Sequence, residues 1–386
     1  MFDFDYQNPT RILFGRGKIA DIDRHIPAQA RVLVLYGGGS VIANGTLAEV
    51  RAALGGRVVE EFAGIEANPT YETLMRAVAQ VKAGGLDYLL AVGGGSVIDG
   101  TKFVAAAACY QGDDAWQILE QGGGSVQAAL PFASVLTLPA TGSEMNCGSV
   151  ITRQSTHSKL AFLSPLVYPQ FSVLDPTKTF SLPVRQIANG VVDAFVHVME
   201  QYLTYPVGSH VQDRLAEGLL HTLIDIGPQV LANPQDYDLR ASLMWTATLA
   251  LNGLIGAGVP QDWSTHMLGH ELTALYDIDH ARTLAIVLPS MMNERRDAKR
   301  AKLLQYAERI WNLRDGSEDE RIDGAIARTR AFFESVGIAT RLADYQVGAD
   351  QVERLVQQLG KHGMTAIGED GGVTLEVSRR VYAGAL

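Results

Sequence analysis

The amino-terminal half of the chain alternates short apolar runs with segments of helical spacing, and this alternation restricts the fold more than any other feature. The runs RVLVLY, RVVEEF, LDYLLAV and FASVLTL lack the in-and-out polarity of a half-exposed strand. Such strands are buried on both faces. Between them, segments such as YETLMRAVAQVKAG repeat apolar residues at helical spacing. The pattern predicts an α/β domain with a parallel, Rossmann-like sheet.

The character of the sequence changes near residue 177. Beyond it, strand-like runs almost vanish and helical patterns follow one another. We therefore predict an α/β domain over residues 1–177 and an all-helical domain over residues 178–386. The predicted helices of the second domain span 185–204, 209–232, 235–256, 262–276, 281–313, 318–336 and 348–362, with a last helix in the tail.

Composition and charge disfavour several classes of protein. The 386 residues are 47% hydrophobic and 19% charged, which is typical of a compact enzyme and not of a disordered chain. The formal net charge of −10 disfavours nucleic acid or an anionic membrane as a partner. We find no transmembrane run, no apolar signal region and no disulfide framework, since the chain has only two cysteines. We therefore expect a cytoplasmic protein.

Two copies of the string GGGS directly follow apolar strands and open helices. Glycine lets the backbone approach a phosphate, and a helix amino terminus offers free N–H groups. A tight turn without a ligand is the alternative, but two such loops on neighbouring strands favour a nucleotide, because ligands bind at the carboxyl ends of parallel strands. A third copy at 122–125 follows a helix and is predicted to be an ordinary loop. The candidate phosphate-binding residues are Gly37, Gly38, Gly39 and Ser40, and Gly93, Gly94, Gly95 and Ser96.

The first loop also bears on the choice of cofactor. Enzymes that use NAD commonly place a carboxylate beside the adenosine ribose, where it accepts from the 2′-hydroxyl. No Asp or Glu occurs between residues 31 and 48, which leaves room for the 2′-phosphate of NADP(H). No Lys or Arg follows the loop to pair with that phosphate, because residues 41–48 are VIANGTLA.

Two clusters of histidine and carboxylate residues are candidate metal ligands. Asp193 and His197 lie one helical turn apart in the apolar segment NGVVDAFVHVMEQYL, and His266 and His270 have the same spacing, with His280 following. Each pair alone fits a buried ion pair or a surface pair. Together, one carboxylate and three imidazoles would form a site for a divalent metal. Spacing does not show which of the three later histidines lies outside the shell, and the pattern is not the zinc-protease H-E-x-x-H.

Several of these stretches resemble the iron-containing (group III) alcohol dehydrogenases over essentially the whole chain. The similarity is greatest to the NADPH-dependent aldehyde reductase and butanol-dehydrogenase-like branch. The matching segments are ILFGRG at 12–17, LLAVGGGSVIDGTK at 89–102, TLPATGSE at 137–144, the segment around NGVVDAFVHVME at 189–200, and HMLGHELTALYDIDHA at 266–281. The resemblance implies the dehydroquinate-synthase-like fold, with an α/β dinucleotide-binding domain at 1–177 followed by an all-α metal-binding and substrate domain at 178–386.

The resemblance also implies roles for individual residues. It places the metal ligands at Asp193, His197, His266 and His280, and places His270 near the nicotinamide. The chain departs from most relatives at Ala281, where they have glycine, and from some at 42–44, where basic residues can occur. The remaining implied cofactor contacts are Asp99 at the pyrophosphate loop and Thr137, Thr141, Ser143 and Lys159 on the nicotinamide side.

The expected function is that of a metal-dependent NADP(H) alcohol dehydrogenase acting mostly as an aldehyde reductase. A divalent ion, Fe²⁺ or Zn²⁺, would polarise the aldehyde carbonyl for hydride transfer. We expect a homodimer. The alternatives are a glycerol- or polyol-type dehydrogenase, a dehydroquinate-synthase-like lyase and a non-catalytic nucleotide-binding protein. The lyase would need a basic cluster, for which Arg282 is the main candidate.

Overall fold

The computed structural model describes residues 1–386, which divide into two compact units. The unit that we call the α/β unit contains Gln7–Pro183 and Pro234–Thr248, and the helical unit contains Met1–Tyr6, Val184–Asn233 and Leu249–Leu386. The chain thus passes from the first unit to the second at 183/184, against the predicted 177/178. Residues 234–248, assigned to the helical domain from the sequence, belong to the α/β unit.

A six-stranded parallel sheet forms the centre of the α/β unit. The strand order is β1-β8-β5-β4-β2-β3. Strands β2 and β4 are neighbours, with Tyr36 opposite Val92 near their carboxyl ends. The strands are β1 (Arg11–Phe14), β2 (Arg31–Tyr36), β3 (Val58–Phe62), β4 (Tyr88–Gly94), β5 (Phe132–Leu138) and β8 (Phe171–Leu174).

The sheet is buried on both faces, which explains why its central strands are apolar throughout. On β2, Val32 and Val34 pack into one core cluster, whereas Leu33 and Leu35 pack into another on the opposite face. The α/β fold predicted from the alternation is confirmed. The helices of this unit are α1 (Ser40–Ala43), α2 (Thr46–Leu54), α3 (Tyr71–Gly84), α4 (Gly95–Cys109) and α5 (Gln117–Glu120), and most of α8 (Tyr237–Ala250).

Local interactions changed several predicted elements. The segment VIANGTLAEVRAAL at 41–54 has continuous helical spacing but forms the two helices α1 and α2, because Gly45 adopts φ +80° and the Asn44 side chain accepts from the Thr46 N–H. The antiparallel hairpin of β6 (Gly148–Arg153) and β7 (Ser158–Leu163) was not predicted. The edge strand β1 and the short strand β8 were also missed, since four residues carry little periodicity.

The second unit is almost entirely helical, as predicted. The predicted helix 281–313 is interrupted at residues 295–299, where Lys299 turns inward and donates to the Leu203 carbonyl oxygen at 2.7 Å. A two-stranded antiparallel pair, β9 (Ala366–Ile367) and β10 (Val373–Thr374), was not predicted. The helices are α6 (Val184–Tyr202), α7 (His210–Ala232), α9 (Ser264–Tyr276), α10 (His280–Glu294), α11 (Arg300–Arg309), α12 (Glu318–Ser335), α13 (Val352–Lys361) and α14 (Leu375–Gly384).

None of the helices combines the length and the apolar character needed to cross a membrane.

Candidate metal and cofactor sites

Asp193 and His197 lie one turn apart on α6, which is buried from Ile187 to Tyr202. The helix is apolar around most of its circumference, so it carries both polar side chains into the interior. The His197 Nε2 lies 3.9 Å from Asp193 Oδ1, and the two side chains are 5% and 3% exposed. This separation is too long for a hydrogen bond between them.

Two further histidines reach the same carboxylate from other helices. His266 is on α9 and His280 is the first residue of α10. The His280 Nε2 lies 3.6 Å from Asp193 Oδ1, and ligand atoms of Asp193, His266 and His280 all lie within 4.8 Å of one another. The rings of His197 and His266 stack with centroids 4.7 Å apart. Three helices therefore bring one carboxylate and three imidazoles together.

The chemistry of this group suits a divalent cation. The Nε2 of His266 is buried and has no hydrogen-bond partner in the chain, an unfavourable state for a polar atom unless a ligand satisfies it. Burial, reinforced by the neighbouring His266, holds the pKa of His197 well below its usual range. A neutral imidazole is the form that binds metal. One carboxylate with imidazoles is a donor set that Zn²⁺ and Fe²⁺ accept.

His270 lies beside this group and outside the set of three mutually close ligands. Its ring centroid is 5.3 Å from that of His280 and 6.4 Å from that of His266, and the residue is 5% exposed. These distances place it next to the candidate metal position. The role beside the nicotinamide that the family resemblance implied stays a prediction.

The sequence analysis missed two residues that contact the candidate ligands. Glu200, seven positions after Asp193 on α6, hydrogen-bonds the His266 ring through Nδ1. Glu200 lies two helical turns after Asp193 and so on the same side of α6, and this spacing is the sequence feature that could have indicated it. Trp263 immediately precedes α9 and adopts φ +64°, a conformation uncommon for a bulky residue. Its ring meets His266 edge-on at a centroid distance of 5.4 Å, a contact that no local pattern indicates.

The first glycine loop follows β2 and leads into α1. A Cβ atom at Gly37 would lie 2.9 Å from the Ile65 carbonyl oxygen, so close backbone packing requires glycine there. At Gly38 and Gly39, by contrast, a Cβ would meet no atom within 4 Å, and neither residue has a positive φ. Internal packing does not explain these two glycines. Ser40 is the first residue of the four-residue helix α1, and its contact with a phosphate stays a prediction.

The second glycine loop joins β4 to α4, next to the first loop in the sheet order. Here a Cβ at Gly93, Gly94 or Gly95 would come within 3 Å of Val97, Leu138 or Thr141 respectively. Tight packing of the strand-to-helix turn therefore explains these glycines without a ligand. Ser96 lies in the first turn of α4, where N–H groups are available to an anion. The third copy, at residues 122–125, forms a turn as predicted.

The remaining predicted cofactor residues lie near this second loop. The Thr141 and Ser143 hydroxyls are 2.7 Å apart. Burial raises the pKa of Asp99, while Lys102, Ser143 and the Val150 N–H oppose the shift. Lys159, on β7, donates to Asn68 Oδ1 at 2.9 Å, and its charge also opposes the Asp99 shift. Thr137 lies at the carboxyl end of β5 and is buried.

Lys102 is a further buried charge that the sequence analysis did not single out. Burial lowers its pKa to about 8. Its Nζ donates to Asn146 Oδ1 at 2.8 Å and to the Gly148 carbonyl oxygen at 2.7 Å. These bonds join α4 to the start of the β6–β7 hairpin.

Comparison with known proteins gives a consistent result over the whole chain. The sequence profile described as "Iron-containing alcohol dehydrogenase" matches residues 9–176, and that of the carboxyl-terminal region of the same family matches residues 187–366. A crystal structure of YqhD from E. coli K-12 aligns with a TM-score of 0.99 at 59% identity, covering 100% of this chain and 99% of that one. A Thermotoga maritima structure described as NADH-dependent butanol dehydrogenase A aligns with a TM-score of 0.95 at 34% identity, over 100% and 99%.

Curated relatives differ in the cofactor that their names carry. The "NADPH-dependent aldehyde reductase YqhD" of Escherichia coli is 60% identical over 386 residues, with both chains covered completely. The "Probable NADH-dependent butanol dehydrogenase 1" of Bacillus subtilis is 42% identical over 368 residues, covering 94% of this chain and 95% of that protein. Cofactor choice therefore varies among relatives that share the fold.

Proposed function

The chain belongs to the iron-containing alcohol dehydrogenase family, and from that premise we propose that it is a metal-dependent oxidoreductase that reduces aldehydes with NADPH. The convergence of Asp193, His266 and His280 within 4.8 Å carries the metal part of the proposal. The relative that is 60% identical and named as an NADPH-dependent aldehyde reductase supports the substrate class and the cofactor.

In the proposed mechanism, Asp193, His197, His266 and His280 hold the cation. The cation, when bound, supplies Lewis-acid polarisation of the aldehyde carbonyl, so that its carbon accepts hydride from the nicotinamide. Asp193 offsets part of the positive charge and favours a divalent ion.

His270 is the group that we propose to assist the proton transfer or to position the nicotinamide. The alcohol product needs a proton after hydride arrives, and an imidazole next to the metal position can donate it directly or through water. Its ring is close enough to those of His266 and His280 for this role.

For the cofactor, we propose that the backbone of Gly37–Ser40 lies beside the 2′-phosphate of the adenosine. The backbone of Gly93–Ser96 would lie beside the pyrophosphate. The space above Gly38 and Gly39 supports the first assignment. The missing carboxylate between residues 31 and 48 supports NADPH over NADH. The proposed contacts on the nicotinamide side are Asp99, Thr137, Thr141, Ser143 and Lys159.

The proposed cation is Fe²⁺ or Zn²⁺, since the donor set accepts either. We further propose that the protein is a homodimer. We also propose a cytoplasmic location, in keeping with two cysteines that are both free. The lyase alternative is disfavoured, because the Nε of Arg282, its main basic candidate for binding an anionic substrate, lies 3.4 Å from Asp279 Oδ2 and is already paired with that carboxylate. Light scattering in solution tests the dimer directly.

A panel of aldehydes and alcohols assayed with each cofactor tests the proposed function. We expect NADPH oxidation with aldehydes in metal-loaded protein, and none after chelation or in Asp193→Ala. The metal content of both proteins is measured on the same preparations. Turnover that survives complete removal of metal would contradict the proposal, as would activity confined to glycerol and other polyols.

A further inference from the structure

Glu200 is buried at the carboxyl-terminal part of α6 and faces the start of α9. Its side chain is 2% exposed. Oε1 accepts from the Thr265 backbone N–H at 2.6 Å, and Oε2 accepts from the His266 N–H at 3.3 Å and from His266 Nδ1. A single carboxylate therefore receives three donors, two from the helix backbone and one from the imidazole.

This arrangement determines which nitrogen of His266 carries the proton. A carboxylate can only accept, so the Nδ1 that faces it must be the donor. In the neutral ring the proton is then on Nδ1, and Nε2 has a free lone pair. Nε2 is the buried nitrogen that has no partner in the chain, and it faces outward from Glu200 because the two nitrogens lie on opposite sides of the ring.

The position of Glu200 is itself restrained by a second buried network. Its backbone carbonyl accepts from the Asp262 N–H at 2.9 Å. The Asp262 carboxylate accepts from Lys299, which also donates to Glu369 Oε2 at 3.0 Å. These bonds attach the segment before α9 to the end of α6, so neither Glu200 nor the first turn of α9 can move independently.

We propose that Glu200 is a positioning residue that holds His266 as the Nδ1–H tautomer and thereby sets the affinity of the metal site. The inference rests on the proposed function, in that it assumes His266 to be a metal ligand. Hydrogen-bonded outer partners orient a ligating imidazole and raise its basicity, and their loss typically costs about 10–100-fold in metal affinity. With Asp193, Glu200 places two carboxylates close to the candidate metal position.

A purely structural role is the competing explanation, because Glu200 also caps the amino terminus of α9. Glu200→Gln separates the two roles. A glutamine amide has one acceptor oxygen and one NH₂ group in place of the two carboxylate oxygens, so it cannot accept from Thr265 on one side and from the His266 ring on the other. If its NH₂ faces the ring, the His266 proton moves to Nε2 and blocks the ligating lone pair. If its oxygen faces the ring, the tautomer is kept, but the imidazole loses the charged acceptor that raises its basicity. Either orientation therefore lowers metal affinity.

The matched control is Ser264→Ala at the same helix terminus. The Ser264 hydroxyl donates to Asp262 Oδ1. This substitution removes one bond at the start of α9, while Asp262 still accepts from the Ser264 N–H at 3.0 Å and from Lys299, and the bonds of the Glu200 carboxylate are kept. A structural role predicts that both variants lower the melting temperature of the apoprotein and leave metal affinity alone.

The experiment titrates chelator-stripped full-length protein with Co²⁺, following its visible absorption and a chelator competition. We expect the Co²⁺ dissociation constant to rise about 10–100-fold in Glu200→Gln and to stay within about threefold in Ser264→Ala. Equal affinity in Glu200→Gln and the unmodified protein would overturn the proposal. Failure of the unmodified protein to bind Co²⁺ would instead contradict the proposed metal site.

A second measurement does not depend on metal and reads the tautomer of the unmodified protein directly. Long-range ¹H–¹⁵N spectra of the ¹⁵N-histidine-labelled apoprotein report the tautomer of each imidazole, and His266→Asn identifies the signal. At about pH 8, where an ordinary imidazole is neutral, we expect the Nδ1–H form. An Nε2–H signal for His266 in the unmodified apoprotein would overturn the inference, whatever the metal titration gives.

Discussion

At the scale of single residues, glycines in similar strings have different reasons to be glycine. Gly95 must lack a side chain because a Cβ would lie 2.3 Å from the Thr141 hydroxyl. Gly38 and Gly39 have open space above them and ordinary backbone angles. A side chain there would be compatible with the fold. Their identity is better explained by close approach of a ligand to the backbone, as proposed for the adenosine end of NADPH.

The first prediction concerns cofactor choice at this loop. Gly39→Asp should lower the preference for NADPH over NADH by at least about tenfold, or 1.4 kcal/mol. The new carboxylate would repel the 2′-phosphate and accept from a 2′-hydroxyl. The ratio of kcat/KM values for the two cofactors measures the change.

Gly39→Asn is the matched control, since it has nearly the same size without the charge. We expect it to change the ratio much less, and neither variant to lower the melting temperature, because no atom lies within 4 Å of the new Cβ. An unchanged ratio in Gly39→Asp would show that the adenosine ribose lies elsewhere.

The second prediction separates His270 from the metal ligands. His270→Ala should retain roughly one metal ion per chain while turnover falls by up to about 10²–10⁴-fold, the range of general acid–base assistance. His280→Ala, the comparison variant, should lose metal and activity together. Metal content and turnover are measured on the same preparations, and loss of metal in His270→Ala would make it a fifth ligand.

At the scale of secondary-structure elements, side-chain hydrogen bonds determine where helices begin and how they are attached. Helix α12 begins at a capping box, in which the Ser317 hydroxyl accepts from the Glu320 N–H at 3.3 Å and Glu320 accepts from the Ser317 N–H at 2.8 Å. Helix α7 also follows a serine, Ser209, but that hydroxyl makes no capping bond. The same residue type therefore stabilises one helix start and not the other.

The third prediction follows from this contrast. Ser317→Ala should destabilise the fold by about 1 kcal/mol, the usual cost of removing a serine cap, and lower the melting temperature measurably. Ser209→Ala should have a clearly smaller effect. Calorimetry on both variants checks the difference, and equal effects would show that the Ser317 cap contributes little.

The fourth prediction concerns the attachment of α13 to α9. His362 Nδ1 lies 2.7 Å from Glu271 Oε1, and this hydrogen bond raises the pKa of His362 against the opposing effect of burial. Because the pKa of His362 is raised in the folded state, the stability that this hydrogen bond contributes is fully present below the ordinary histidine pKa near 6.5. It is lost as the pH rises through the folded-state pKa. Thermal stability should therefore fall from about pH 6 to pH 8 through this group.

His362→Gln should flatten that part of the pH profile, because glutamine does not titrate. Melting temperatures of both proteins across this range provide the measurement. The prediction is wrong if the difference between them is the same at every pH.

At the scale of the whole molecule, the candidate ligands connect distant parts of the helical unit. Asp193 and His197 come from α6, His266 from α9 and His280 from α10. A bound cation would link these helices, and free energy of binding to the folded state adds to the free energy of unfolding.

The fifth prediction is that metal stabilises the protein. At a free metal concentration about 100 times the dissociation constant, the gain should be about 2.7 kcal/mol. Calorimetry of chelated and Zn²⁺-reconstituted protein tests this, with Asp193→Ala as the control that should show almost no shift. A rise of similar size in Asp193→Ala would place the stabilising metal elsewhere.

Much of the architecture could be predicted because it depends on short-range periodicity. Apolar strands alternating with amphipathic segments require a doubly covered sheet, whichever residues occupy its faces. The spacing of Asp193 and His197 likewise places both on one face of α6 before any contact is known. These features follow from the geometry of a single helix or strand, which neighbouring residues determine.

Only the tertiary structure decided which distant groups meet. His266 and Glu200 are 66 positions apart, and the hydrogen bond between them depends on how α9 docks on α6. Lys299 interrupts a predicted helix because its ammonium group reaches partners far along the chain. The difference between Gly39 and Gly95 depends on Thr141, which a strand pairing brings close. Such contacts arise from packing over long chain separations, which local sequence periodicity does not encode.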